Sequence, residues 1–325
     1  MMSSKLKITS LFLACLFLMS CEKEITVDLP QPERKLVVDG QIELGASPFV
    51  LLSSSIAPFE PTNAESLSSF YLRGADVSIR SGEDFYELDE ICLSDLPGEL
   101  INTVAEQLGV SPVVLISSDI CAYSKIDGSL IGEAGKIYNL EVVYEEEVLT
   151  ASTKINEAVV LDSMWFSVPN PGDSLGFAYA ILDDPDTLGN AYRWSAKRIN
   201  FYPAWSEHAF EQKDQIYIAP LGSAYDDEFF NGLEFQFAYF RGSQNSEKED
   251  DNNIERGFFK IGDTIAVKGA HIDRGVFKFI SAMEDQIATQ GSPFATPANL
   301  PSNVQGGLGL WAGYATSYDT IICTP

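Results

Sequence analysis

Two stretches of the chain alternate with a period of two. In GFAYAIL, Phe177, Tyr179 and Ile181 are separated by small or apolar neighbours, and in GLEFQFAYF the positions Leu233, Phe235, Phe237 and Tyr239 repeat in the same way. A strand turns successive side chains to opposite faces, whereas a helix would scatter this spacing around its circumference. The pattern therefore predicts antiparallel strands whose aromatic stripe fills the space between layers. Shorter signals agree. Ala75, Val77 and Ile79 alternate before a turn at Ser81-Gly82, and Phe85 and Leu88 follow it. GKIYNLEVVYEEEVL, residues 135 to 149, fits a sheet edge, and GDTIAVKG and VFKFI predict further strands between residues 262 and 280. LVVDGQIELGASPFVLLSSSI is broken at Asp39-Gly40 and at Gly45, which predicts a hairpin or successive strands. One segment departs from this pattern: in LPGELINTVAEQLGV, residues 96 to 110, Leu100, Val104 and Leu108 recur every four residues, as in a short helix packed by one stripe.

The expected fold is mainly β. An N-terminal Ig-like or transthyretin-like β-sandwich over residues 36–155 is followed by a larger, aromatic-rich antiparallel β-sandwich or partly closed barrel over 156–325. The stretch TASTKINEAVV around residues 150 to 160 could separate the two, although it lacks the composition of a flexible linker.

The N-terminus is a different kind of signal. Lys5 and Lys7 precede ITSLFLACLFLM, an apolar run too short for a good spanning helix, and the run ends at Ser20-Cys21 before the charged EKE. Leu18, Met19, Ser20 and Cys21 resemble the bacterial lipoprotein box, in which the cysteine sulfur receives a diacylglyceryl group before cleavage. Residues 1–20 are then a signal peptide, Cys21 is the lipidated first residue, and residues 21–35 form a charged, proline-containing tether. More than one acyl chain on the cysteine would anchor the protein stably.

Charge narrows the partners. With 47 acidic and 21 basic residues the net charge is -26, and it becomes two units more negative once Lys5 and Lys7 leave with the signal. Nucleic acid and an electrostatic hold on an anionic leaflet are both disfavoured. Such charge chiefly keeps an exported protein in solution. Cys15 leaves with the signal and Cys21 is lipidated, so Cys92, Cys121 and Cys323 remain. That number permits one disulfide and one leftover thiol. Cys92 with Cys121 is the preferred pair, closing a loop around the helical insertion, and unpaired buried cysteines are the alternative.

No catalytic motif emerges. His208 and His271 belong to no metal-ligand spacing, and the chain has neither a nucleophile elbow nor a P-loop. Glu207, Glu211 and Asp214 lie near Trp205 and are the weak candidates for a carboxylate hydrolase. No cofactor is implied. Asp183, Asp184 and Asp186, and DDNN at residues 250 to 253, are the candidate positions for structural calcium, although turn formation explains both stretches. YRWSAKRINFYPAW, residues 192 to 205, combines aromatics with Arg193, Lys197 and Arg198; Arg198 and Trp205 are its candidate interface residues.

Near the C-terminus, GSPFATPANLPSNVQGGLGLWAGYATS is similar to the PFxxPxNxxSNIxGGLGxFxGY pattern of the Bacteroidota family DUF4249, through Pro293, Phe294, Pro297, Asn299, Ser302, Asn303, Gly306, Gly307 and Gly309. LVVDGQIELG, RGADVSI, GKIYNLEV and DPDTLGNAYRW resemble its other signatures, while the region between Cys92 and Cys121 departs from the usual spacing. The resemblance implies an outer-membrane lipoprotein associated with a TonB-dependent transporter-like β-barrel or another envelope complex, without catalytic residues. The charged EKE also resembles an export signal for the cell exterior. A free-standing glycan- or peptide-binding lipoprotein is the second expectation, and a carboxylate hydrolase the third.

Overall fold

The first strand, β1 (Leu36–Glu43), puts Leu36, Val38 and Ile42 on one face and Val37, Asp39, Gln41 and Glu43 on the other. The apolar face builds the core, and the polar face borders the candidate site. A computed structural model describes residues 33–56, 70–98, 101, 102, 104, 113, 120–206, 209–242, 257–289 and 299–325. Residues 34–325 form one compact unit.

The elements after β1 are β2 (Phe49–Ser54), β3 (Asp76–Ser81), β4 (Asp84–Glu87), β5 (Asp89–Cys92), β6 (Cys121–Ser124), β7 (Ile137–Tyr144), β8 (Glu147–Lys154), β9 (Leu161–Ser167), β10 (Leu175–Asp183), β11 (Ala191–Arg198), β12 (Ala224–Asp226), β13 (Glu234–Tyr239), β14 (Phe259–Lys260), β15 (Thr264–Ile272), helix α1 (Arg274–Thr289), β16 (Val304–Gln305) and β17 (Leu308–Ile322). An eight-stranded sheet runs in the order β12-β11-β15-β17-β1-β2-β6-β5. Its strands pair antiparallel except β1 with β17, which run parallel from Val37 opposite Leu308 to Glu43 opposite Tyr314. Two smaller antiparallel sheets stack on it: β16-β8-β7-β3-β4, and β10 flanked by β9, β13 and β14. The architecture is mainly β and sandwich-like, with no closed barrel among the described residues. Strands from both sides of residue 155 share the large sheet, because β17 returns to pair with β1.

Val38, Ile42, Val50 and Leu52 of the large sheet meet Val77, Ile79, Leu140, Val142 and Leu149 of the five-stranded sheet. Each such side chain contributes about 1.5–3 kcal/mol on burial. Trp311 fills the centre of this layer and donates from its indole Nε1 to the Tyr138 carbonyl at 2.9 Å. The ring explains Gly40, where an added Cβ would lie 2.8 Å from Trp311 Cε3. Asp39-Gly40 is therefore no turn; β1 runs straight through it and the chain turns at Gly45.

The C-terminal signature also has a physical reading. The Asn303 amide donates to the Trp311 carbonyl at 2.7 Å and accepts from the Trp311 N–H at 2.9 Å, standing in for a strand partner. Gly309 has φ +112, and a Cβ there would overlap the Val38 carbonyl across the parallel pairing. Pro293, Phe294 and Pro297 lie outside the described residues.

Three local expectations change. In β10 the buried stripe is Ala178, Ala180 and Leu182, whereas Phe177, Tyr179 and Ile181 are half-buried on the other face. Small residues let β10 approach the large sheet, leaving room for Trp194 to stack on Tyr239 at 4.8 Å. VFKFI is not a strand but the start of α1, which is capped by Asp273 Oδ1 accepting from Gly275 N at 2.7 Å and Val276 N at 2.9 Å. Its buried residues are Val276, Ile280 and Glu284, four apart. The β7 strand lies inside its sheet, between β3 and β8, rather than at an edge. In the expected helix at 96–110, the described residues Gly98, Ile101, Asn102 and Val104 are helical.

Candidate functional site

Two features share the end of the large sheet formed by β11, β15 and β17: an open cavity and a loop carrying exposed aromatics.

The cavity holds about 490 Å³. Its floor is the sheet face opposite the Trp311 core: Asp39 and Glu43 of β1, Arg193 of β11, Lys268 and Ala270 of β15, and Leu310 and Tyr314 of β17. Its walls are Phe279, Ile280 and Met283 of α1 and the segment around Tyr217 and Ala219. Glu284 of α1 fixes the adjoining turn, accepting from Gly222 N at 2.8 Å and from Ser223 Oγ at 3.0 Å.

The charges on the floor are unevenly satisfied. Lys268 Nζ lies 2.6 Å from Glu43 Oε1, a pair shielded on both sides. Tyr217 has Lys197 Nζ 4.5 Å from its ring centroid, which stiffens the wall. Asp39 is reachable by solvent within the cavity yet ringed by protein, and the displaced water pushes its carboxyl above the usual range. Arg193 Nε is buried with no hydrogen-bond partner. Burial also pushes the Tyr314 phenol up, while Arg193 pulls it down and Glu43 and Asp39 push it further up, which places all these charges around one hydroxyl.

The loop between β11 and residue 214 starts from a buried clamp. Asp214 Oδ2 accepts from the Arg198 backbone N at 2.7 Å and from Nε at 2.9 Å, Oδ1 accepts from Nη2 at 2.8 Å, and Arg241 Nη1 lies 3.7 Å away. Beyond the clamp, Phe201 bridges to Gln212, and Tyr202 N donates to the Glu211 carbonyl at 2.8 Å. This pinned base carries Phe201, Trp205 and Phe210 with 61%, 86% and 76% of their surfaces exposed. Phe210 takes φ +67, a left-handed conformation that a bulky residue holds only under local constraint.

The expected site residues therefore separate. Trp205 is at the surface. Arg198 is a correction: it is 2% exposed and spent on Asp214, so it braces the loop from within rather than meeting a partner. Of the carboxylate trio, Asp214 is inside the clamp and Glu211 is exposed, while Glu207 lies outside the described residues, as do His208 and Cys21. Cys92 and Cys121 sit opposite each other in β5 and β6 and are disulfide-bonded, while Cys323 is a buried free thiol. His271 is buried, with Nδ1 2.8 Å from the Glu157 carbonyl.

The Asp183–Asp186 turn is held by its own hydrogen bonds. Asp184 accepts from the Tyr192 hydroxyl and from Gly232 N at 3.0 Å, and Asp227 Oδ2 accepts from Gly189 N at 2.7 Å and Asn190 N at 2.9 Å. Asp183 and Asp186 face solvent, and residues 250 to 253 lie outside the described residues.

The cavity floor escapes motif reading because its residues come from four strands. The local signal is the polar series Asp39, Gln41 and Glu43 alternating with apolar positions in a strand placed mid-sheet.

The fold and site define a mainly-β domain with a ligand-sized concavity and a braced aromatic loop, in which no helix of the described residues is long and apolar enough to cross a membrane. The chain belongs to the family described as domain of unknown function DUF4249, which it matches over residues 22–319. No curated protein matches it.

Proposed function

We propose that this chain is a non-catalytic accessory lipoprotein of the outer membrane, anchored through Cys21, facing the cell exterior, and docked on a β-barrel of the TonB-dependent transporter type or on another outer-membrane complex. The observation that carries the reading is the aromatic loop. Phe201, Trp205 and Phe210 are exposed on a segment fixed by a buried Arg198–Asp214 clamp, so docking would bury them with little ordering of the chain. The lipid would confine the loop to the plane of the barrel and raise the effective concentration of the two surfaces. The lipoprotein box at Leu18 to Cys21 and the family membership support the same reading.

The test is a pull-down of the tagged full chain from detergent-solubilised membranes of its native host. One barrel in stoichiometric amount is expected, and the Trp205→Ala and Phe210→Ser variants should recover much less of it. Recovery of the tagged chain alone, or recovery unchanged by both variants, would refute the proposal.

The cavity favours a second reading, a free-standing ligand-binding lipoprotein. A hydrolase has less support: Glu43, one of the two cavity carboxylates, is engaged by Lys268.

A further inference from the structure

We propose that the cavity on the large sheet binds a small amphipathic carboxylate, its head on Arg193 and its apolar body against the α1 wall. The inference goes beyond the docking role and does not depend on it.

At about 490 Å³ the cavity has the size of a small-molecule site and is open to solvent. Its ends differ: Phe279, Ile280 and Met283 offer an apolar wall, and the charged groups lie on the strands. Two of those charges are spent on each other, Lys268 on Glu43 at 2.6 Å. Arg193 and Asp39 remain as the groups that set ligand polarity. They are not equivalent. A carboxyl ringed by protein can relieve its own desolvation by keeping its proton, and burial raises Asp39 in that direction. A guanidinium cannot lose its proton, so Arg193 keeps its positive charge on the cavity floor, and its Nε has no partner within the protein. The raised Asp39 pKa weakens the negative charge that competes with Arg193, so the floor favours a monoanion, and removing the Asp39 charge altogether should favour it further. The planar fork of an arginine suits a carboxylate, and a dianionic head would be repelled by Glu43 and by any ionised Asp39.

Four soluble six-carbon probes separate the possibilities by ligand-observed NMR titration of the full chain purified away from membrane partners: hexanoate, hexanol, hexylamine and hexyl phosphate. Hexanoate should bind most tightly. The Arg193→Gln variant, with an unchanged near-UV spectrum, should lose about tenfold in hexanoate affinity or more, the loss typical of a charge-assisted hydrogen bond. Asp39→Asn should strengthen binding. If Arg193→Gln fails to fold, Ala219→Phe supplies the test by filling the wall, and it should abolish binding. Tighter binding of hexyl phosphate would overturn the carboxylate assignment. Tighter binding of hexylamine, a loss of affinity in Asp39→Asn, or hexanoate binding that survives both Arg193→Gln and Ala219→Phe would overturn the site. A failed barrel pull-down would leave these outcomes untouched.

Discussion

Breaking the Cys92–Cys121 bond offers a quantitative test of how the edge of the large sheet is held. The two cysteines face each other across β5 and β6, the last two strands in the sheet order, and are separated by 29 residues. In the chain-entropy account, the cross-link removes loop-closure freedom from the unfolded chain. For a loop of this length the logarithmic part contributes about 3 kcal/mol and the fixed part about 0.6, so the bond is worth roughly 3.6 kcal/mol at 25 °C. For a domain of this size that corresponds to a fall in Tm on the order of 7 °C. The Cys92→Ala/Cys121→Ala double variant should therefore lose that free energy of unfolding, with a lower guanidinium midpoint and a somewhat steeper slope because the unfolded chain is less compact without the cross-link, and the wild-type chain under strong reductant should match it.

The reasoning assumes that β5 and β6 unfold together with the rest of the unit. Hydrogen exchange checks that assumption, because an edge strand that opens on its own would exchange at a free energy below the global value. A midpoint shift worth less than about 1 kcal/mol, together with faster exchange confined to residues 89–92 and 121–124, would refute the global argument and leave the bond as a local staple.

Four further outcomes are expected. Arg198→Met should destabilise the protein by about 3–5 kcal/mol in denaturant unfolding, because it leaves a buried carboxylate short of its main partner. Trp205→Ala, by contrast, should change stability by less than about 0.5 kcal/mol, since the ring is exposed. Burial lowers the pKa of His271, so the unfolded chain takes up that proton first; stability should be full above about pH 6.5 and fall below it, with a smaller slope in His271→Asn. The Cys323 thiol is pushed up to about 12, by burial first and then by Asp263, so a thiol reagent at pH 8 should label it only after unfolding.

What sequence reveals here depends on whether the deciding contact is local. Alternation identifies β3, β10 and β13 because strand geometry acts at a spacing of two residues. It cannot say which stripe of β10 is buried: Phe177 and Tyr179 look like the core side, yet the large sheet needs the slimmer Ala178 and Ala180 against Trp194. The same limit applies to Asp39-Gly40. A turn and a close approach both select glycine, and only the arrival of Trp311 from β17 distinguishes them. VFKFI shows a different failure. Its alternation over five residues is real, but the Asp273 cap and the burial of Val276, Ile280 and Glu284 extend over a longer span and prevail. Arg198 looks like a surface contact residue because its acidic partner lies 16 residues away, across a loop.

The cavity and the aromatic loop follow from one asymmetry of the large sheet. Over β1, β2 and β17, one face is covered by the five-stranded layer, and over β11 and β15 by the layer around β10. On its opposite face, α1 closes only one part, through Val276 and Ile280 against Leu310 and Ala312. One helix does not span eight strands. The space it leaves over β1, β17 and β15 becomes the cavity, and the segment around Tyr217 and Ala219 forms the far wall. The chain must leave β11 and return beside it, because Ala196 bridges Ile218. The buried Arg198–Asp214 clamp sets the base of the excursion, and the aromatics are exposed because no described layer lies over them. A change that loosens the clamp should therefore disturb both the aromatic loop and the cavity wall at Tyr217, whereas one confined to Trp205 should leave the wall as it is.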